Sequence, residues 1–509
     1  MPRSRAPRRP FPVVAVVVSV LGLVGTTGVA LPVAAGATPA KAAVTTPTTS
    51  VPKNAWDPRI EPIAKEVAKL RKLGFEHPVP VEFLPSKEFD KKVTVDSKKL
   101  SKAAKKASEQ ATARLAAIGL VPHSSNLVEQ ENQLQSSSVL ALYVPAKKKV
   151  FVRGTDLDTP AKRVTVAHEL THALQDQYFD LQKLGKEADK THSVDAYKAV
   201  VEGDAVRVQD LYAKTMSQAD QDQYQTENSN ASQQADAEST ANDVAPALQA
   251  FLEAPYAFGP PMLQTVQASK GESAIDDLFR NLPTNDLAYV LPTSLLDKTK
   301  IAKVAPPAVK GNGEKQFGKA DTFGSYALYL MLSQQLDPTE ALKIADGWGG
   351  DALVDYTLGS GKAQQQCVRT AFVGQTSDAT RAIEPGLAQW VAAQPAGSAT
   401  VKANGDLVEF SSCDVADARP TARDPKLALA LLVTRDQLIG SYAEQGATAA
   451  TAQCAADGVV NDPTVRPVLE QGAADPTAQP DAQTQAAIQD AVKKIITSCL
   501  RTGKAGATA

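Results

Sequence analysis

Apolar positions fall at helical spacing from Ile60 to Leu73 (Ile63, Val67, Leu70) and stop at Gly74, a residue suited to closing a helix. The period then changes. Val79-Pro80-Val81-Glu82-Phe83-Leu84 alternates like a short strand. Helical spacing returns over Ala103 to Ile118 and ends at Gly119. Val139 to Val144 and Val150 to Arg153, joined through Pro145 to Lys149, predict a β-hairpin. Thr159-Pro160 then opens a helix, with Thr159 as N-cap and proline at the first helical position. Its pattern runs through Val164, Ala167 and Thr171 toward Leu184-Gly185. Ser193 caps a second helix, from Val194 to Tyr212.

From Thr215 to Asp243 the apolar anchors thin out, and Gln, Ala, Ser, Asn and Asp dominate. We read 214–243 as a polar helix pair or a flexible insertion, a candidate lid. Helical pattern resumes at Val244, continues past Phe279, and is punctuated by Pro283 and Pro292. Thr322 to Leu336 predicts another helix, and Gly347-Trp348-Gly349-Gly350-Asp351 a tight turn. Beyond Ala392 come two short strands, Ala399–Lys402 and Leu407–Phe410, around the turn Asn404-Gly405-Asp406. Helices follow over Leu427 to Tyr442, Ala449 to Asp457 and Gln485 to Leu500. The whole predicts an α+β, mainly helical protein. Its main domain spans 56–395, and a small, mainly helical module spans 396–509.

The N-terminus reads as a targeting segment. Arg3, Arg5, Arg8 and Arg9 precede an apolar run from about Phe11 to Ala35, then Ala35-Gly36-Ala37 and Ala40-Lys41-Ala42. That order marks a secretory signal peptide over 1–37, with an uncleaved anchor as the alternative. Residues 38–55 form a disordered linker rich in Thr, Pro and Ala. The expected location is therefore secreted or cell envelope. No later segment is apolar enough to span a bilayer. Four cysteines, Cys367, Cys413, Cys454 and Cys499, suit two disulfides in an exported chain. Sequential pairing, Cys367–Cys413 and Cys454–Cys499, closes the shorter loops. A net charge of -2 argues against nucleic acid as partner. The lysines from Lys91 to Lys106 read as a solvated helix face.

The chemistry concentrates in His168-Glu169-Leu170-Thr171-His172. Residues four apart on a helix share a face, so the two imidazoles can hold one metal ion while Glu169 reaches a water beside it. A catalytic zinc site needs a third protein ligand and an open position. Gln175 and Tyr178 stand where the extended H-E-x-x-H-x-x-G-x-x-H form would place Gly and His, so that form is excluded. His192 is the one later histidine. Glu202, inside Val200-Val201-Glu202-Gly203-Asp204-Ala205, is the stronger candidate, because a carboxylate in an apolar run is costly unless paired or metal-bound. Gly203 would let its helix approach the histidine helix closely. Asp204 is read as supporting the site or pairing with Arg207, and Asp176 as a possible orienter of an imidazole. Tyr256 is the candidate donor to a developing oxyanion. This pattern predicts hydrolysis of a peptide or protein substrate, with Zn2+ as cofactor and Glu169 as general base. The alternatives are an aminopeptidase or amidase on the same site, or a non-catalytic protein stabilised by the metal.

The run His168-Glu169-Leu170-Thr171-His172-Ala173-Leu174-Gln175-Asp176-Gln177, followed by Val201-Glu202-Gly203-Asp204-Ala205, resembles the gluzincins, zinc peptidases with a glutamate ligand. It is more closely similar to a group of poorly characterised exported bacterial proteins with the same run. Pro255-Tyr256 with Gly259, and Gly347 to Asp351, match that group too. The resemblance covers about residues 57 to 390. It implies a zincin-like catalytic domain, with a small mixed sheet over a zinc helix and a helical second half. One departure is that Val206 replaces the acidic position found four residues after the ligand glutamate in thermolysin-like enzymes.

Overall fold

The computed structural model describes residues 55–506 except 192, 298, 362–363, 414–422, 424 and 475–479. The expected signal peptide at 1–37 and nearly all of the expected linker lie outside the described residues. The first half runs α1 (Glu61–Arg71), β1 (Val81–Leu84), α2 (Ser86–Val93), α3 (Lys102–Ala117), α4 (Leu127–Ser138), β2 (Ala141–Val144), β3 (Lys149–Arg153), α5 (Pro160–Phe179), α6 (Leu181–Lys190), α7 (Val194–Thr215), α8 (Gln218–Ala241), α9 (Pro246–Lys270) and α10 (Ser273–Arg280). Next come α11 (Leu287–Val290), α12 (Ser294–Asp297), β4 (Glu314–Asp321), α13 (Ser325–Ser333), α14 (Pro338–Asp346), β5 (Trp348–Leu358) and β6 (Gln365–Gly374). The chain ends with α15 (Ser377–Ala392), β7 (Ala399–Asn404), β8 (Leu407–Cys413), α16 (Pro425–Glu444), α17 (Ala449–Asn461), α18 (Arg466–Ala474) and α19 (Ala482–Gly506). The protein is mainly helical, with two small sheets.

The first sheet is mixed, in the order β1-β3-β2. Central β3 pairs parallel with β1 and antiparallel with β2, Tyr143 lying opposite Val150. The predicted hairpin is present, its turn a short 3-10 segment at Pro145–Lys147. Helix α5 packs against β2 and β3 on one side and against α1, α7 and α8 elsewhere. Enclosed this way, it is buried without interruption from Val164 to Asp176, and no solvent face separates its apolar positions from its polar ones. Thr159 caps it, accepting from the Lys162 amide at 3.3 Å. The helix does not continue to Gly185. It breaks at Asp180, which adopts φ 53° and caps α6 through the Lys183 amide. Aspartate tolerates that left-handed conformation.

The second half is not helical alone. Five antiparallel strands in the order β4-β5-β6-β8-β7 lie between its helices. β5 is buried on both faces from Trp348 to Tyr356, so it lacks the alternation that marks a strand in sequence. The expected tight turn at Gly347 to Asp351 is instead the start of β5, with an irregular register between Trp348 and Gly350. The glycines there are needed for contact: a Cβ on Gly349 would lie 2.3 Å from the Gly374 carbonyl carbon.

The division expected at 395/396 cuts across this sheet, because β7 and β8 complete it. Cys367 on β6 pairs with Cys413 on β8 in register and is disulfide-bonded to it. Cys454–Cys499 is the second disulfide, between α17 and α19. Both sequential pairings are present. The polar stretch read as an insertion is one long helix, α8, which packs on α4 and α5. No described helix is long and apolar enough to cross a membrane.

Candidate metal centre

His168 and His172 lie one turn apart on α5, and Glu202 faces them from α7. His168 Nε2 is 3.1 Å from His172 Nε2, and Glu202 Oε2 is 3.3 and 3.1 Å from those two nitrogens. All three side chains are buried. Donors about 2.0–2.1 Å from a tetrahedral zinc stand about 3.3 Å from each other, so the triangle has the size of one face of such a site.

Two glutamines fix the histidine tautomers. Gln175 Nε2 donates to Val201 O and to Asp204 Oδ2, both at 3.0 Å, which turns its Oε1 toward His172 Nδ1 at 3.1 Å. Gln209 Oε1 lies 3.0 Å from His168 Nδ1. Each Nδ1 therefore carries its proton and donates it, leaving each Nε2 bare. With both Nε2 atoms bare, three lone-pair donors converge, a set that calls for a shared proton or a metal cation. Burial would lower His172, but the Glu202 carboxylate lifts it to about 9. Glu202 is raised by burial, yet the imidazoles drive it down to about 2. Burial lowers His168. The cluster captures a proton on His172 or is fit for a metal in its place.

Glu169 stands beside the triangle. Its ligand atom and those of both histidines lie within 4.8 Å of one another, so two carboxylates compete for the third position. Glu202 fits it better, being in direct contact with both Nε2 atoms, whereas Glu169 spends Oε2 on the Tyr143 amide of β2. Glu169 Oε1 has no hydrogen-bond partner among the described residues and is fully buried. Burial pushes Glu169 up to about 8, against the pull of His172 and of the Tyr143 amide. A buried carboxylate with one oxygen anchored and the other free has the form of a proton acceptor.

The surroundings hold the triangle by charge and by close packing. Arg71 of α1, itself buried, contacts Asp204 Oδ2 at 2.6 Å and Asp276 at 2.6 Å, and Arg207 adds a contact to Asp204 Oδ1 at 3.0 Å. The chain Arg71–Asp204–Gln175–His172 thus links the first described helix to the candidate metal centre. The expected pairing of Asp204 with Arg207 is present. Gly203 does permit a close approach, but to a different helix. Its backbone meets Gly259 of α9, not α5. Asp176 does not orient an imidazole. It accepts from the Tyr143 hydroxyl at 2.6 Å, Lys148 at 2.7 Å and the Leu181 amide at 2.9 Å, fixing β2 and the end of α5. His192 lies outside the described residues.

Tyr256 of α9 is in the site. Its ring stacks on His168, with centroids 6.3 Å apart and planes at 27°, and its hydroxyl hydrogen-bonds Glu202. Burial raises its pKa well above the usual value, so it stays a neutral donor. Gln175, Gln209 and Arg71 were not singled out from sequence. Gln175 follows His172 by three positions and Gln209 follows Glu202 by seven, spacings that keep each pair on one helix face. No protein-family model, curated protein or solved structure matches the chain.

Proposed function

We propose that this protein is an exported zinc-dependent metallopeptidase with a zincin-like catalytic domain. The observation that carries the reading is the acceptor-only triangle of His168 Nε2, His172 Nε2 and Glu202 Oε2, 3.1 to 3.3 Å on a side, with Glu169 alongside. A zinc ion held there would acidify a water and polarise a substrate carbonyl. Glu169 takes the proton of the attacking water on its free Oε1 and delivers it to the leaving amine. Its Oε2, fixed by the Tyr143 amide, keeps the carboxylate from swinging into the donor triangle. Tyr256 offers a neutral hydroxyl to the substrate oxygen as charge builds there. Gln175 and Gln209 keep the imidazoles in the tautomer that binds a metal. Export is supported by the basic and apolar N-terminal run, and by two disulfides in a chain with no free cysteine among the described residues.

The test is metal analysis joined to digests of an N-blocked and a free-amine peptide library by wild type and Glu169→Gln. Wild type should carry about one zinc per chain and cleave internally, and the variant should keep zinc and lose cleavage by a factor of about 10² or more. Cleavage that survives in the variant would sink the mechanism, and cleavage of free-amine peptides alone would favour an aminopeptidase.

A further inference from the structure

A cleft of about 580 Å3 opens beside the metal centre, and Glu202 and Tyr256 form part of its wall. Asp195 lines it too. Asp195 and Glu202 are seven residues apart on α7, so they share a face, about 10 Å apart along the helix. Three other aspartates of the cleft are already engaged, while Asp189 of α6 is a further carboxylate on its wall. Asp286 accepts from the Ser325 and Tyr326 amides at the start of α13. Asp351 accepts from the Phe323 and Gly324 amides and from Trp348 Nε1. Asp321 is paired with Arg114 at 2.6 Å. The Asp195 carboxylate has no hydrogen bond or ion pair among the described residues, although its backbone carbonyl accepts from Tyr289. Leu115, Phe251, Leu252 and Ile301 supply apolar parts of its wall.

We infer that this cleft is a substrate subsite for a basic side chain, Lys or Arg, next to the scissile bond, with Asp195 as the residue that selects it. This rests on the peptidase reading above. A cleft with apolar wall and the unengaged Asp195 carboxylate on the same helix face as Glu202 suits a side chain with an aliphatic stem and a cationic head. A free α-amine does not fit, because it lies too close to the scissile carbonyl to reach a carboxylate two turns from the ligand glutamate. A second metal ion does not fit either. Outside the His168 and His172 centre, no set of three His, Cys, Asp and Glu among the described residues has ligand atoms within 4.8 Å of each other. Burial raises Asp195 to about 6, Lys198 pulls it down, and Asp286 and Asp321 raise it further. A substrate cation would offset the cost of holding that carboxylate charged in the half-buried cleft wall.

The experiment uses Nα-acetyl amino-acid hydroxamates, with lysine, norleucine or glutamate as the amino acid, bound to the zinc-loaded protein and followed by calorimetry. The hydroxamate engages the metal in every case, so the side chain alone varies. Wild type should bind the lysine probe roughly tenfold or more tighter than the norleucine probe. Asp195→Asn should bring the two within about twofold without weakening the norleucine probe, and Asp195→Lys should turn the preference toward glutamate. Equal affinities in wild type, a lysine preference that survives Asp195→Asn, or failure of every probe to bind would overturn the inference. The readout is binding, so it separates from the peptidase reading. Asp195-dependent selection without peptide cleavage would sink the peptidase and leave the subsite standing. Cleavage without selection would do the reverse.

Discussion

Gly203 of α7 lies against Gly259 of α9 with no room for a side chain on either. A Cβ on Gly203 would fall 2.5 Å from the Gly259 carbonyl carbon, and one on Gly259 would fall 2.4 Å from Ala199 O. This crossing sets the depth of α7, and Glu202 is the residue beside it. Alanine is the better helix former by about 1 kcal/mol. Here the clash is backbone on backbone and neither helix can yield locally, so overpacking, which costs about 1–3 kcal/mol, should outweigh that gain. We expect Gly203→Ala to lower the unfolding midpoint in urea and to weaken zinc binding as Glu202 is displaced. A variant more stable than wild type would show that the helices part freely.

Gln175 contacts His172 Nδ1, Val201 O and Asp204 together. Gln175→Ala removes the acceptor that keeps the Nδ1 proton in place, while Asp204 retains Arg71 and Arg207. Zinc affinity should fall about 10- to 100-fold with little change in secondary structure. Competition against a chelator of known affinity measures this, and an unchanged constant would mean that the ring is held by packing alone.

Tyr256→Phe keeps the ring against His168 and deletes the hydroxyl that reaches Glu202. If that hydroxyl stabilises the developing oxyanion, kcat should fall by about 10²–10³ with zinc content intact. A change confined to KM would assign Tyr256 to substrate positioning, and loss of zinc would assign it to holding Glu202.

The parts of this site that were legible in sequence are local. His168, Glu169 and His172 announce themselves by spacing on one helix, and Glu202 by being an acid in an apolar run. What escaped depends on which elements meet. Gly203 signals a close approach, but its own neighbours in sequence do not say that the partner is Gly259. Asp176 continues the histidine face, yet β2 brings Tyr143 and Lys148 to it first. Gln175 and Gln209 are neutral amides, common on helix surfaces, and only burial against the imidazoles gives them a role. β5 escaped because both of its faces are covered, which erases the two-residue period.

The last prediction concerns pH. In the zinc-free protein, His172 is raised from 6.5 to about 9 and Glu169 from 4.5 to about 8, so the folded state holds protons that the unfolded chain releases. The stability these two groups contribute is present below their unfolded values and is lost as pH rises through about 8 and 9. Glu202 runs the other way. It is lowered to about 2, so its contribution is present above 4.5 and lost only as pH falls toward 2. Zinc held there would replace the proton on His172, so its binding should strengthen as pH rises. The zinc-loaded and chelator-treated proteins should thus diverge, with the gap between their unfolding temperatures widening from about pH 6.5 to about pH 9. Thermal unfolding of both forms across that range reads the gap directly. A gap that stays constant would mean that neither His172 nor Glu169 holds the proton, and the acceptor-only triangle would need another explanation.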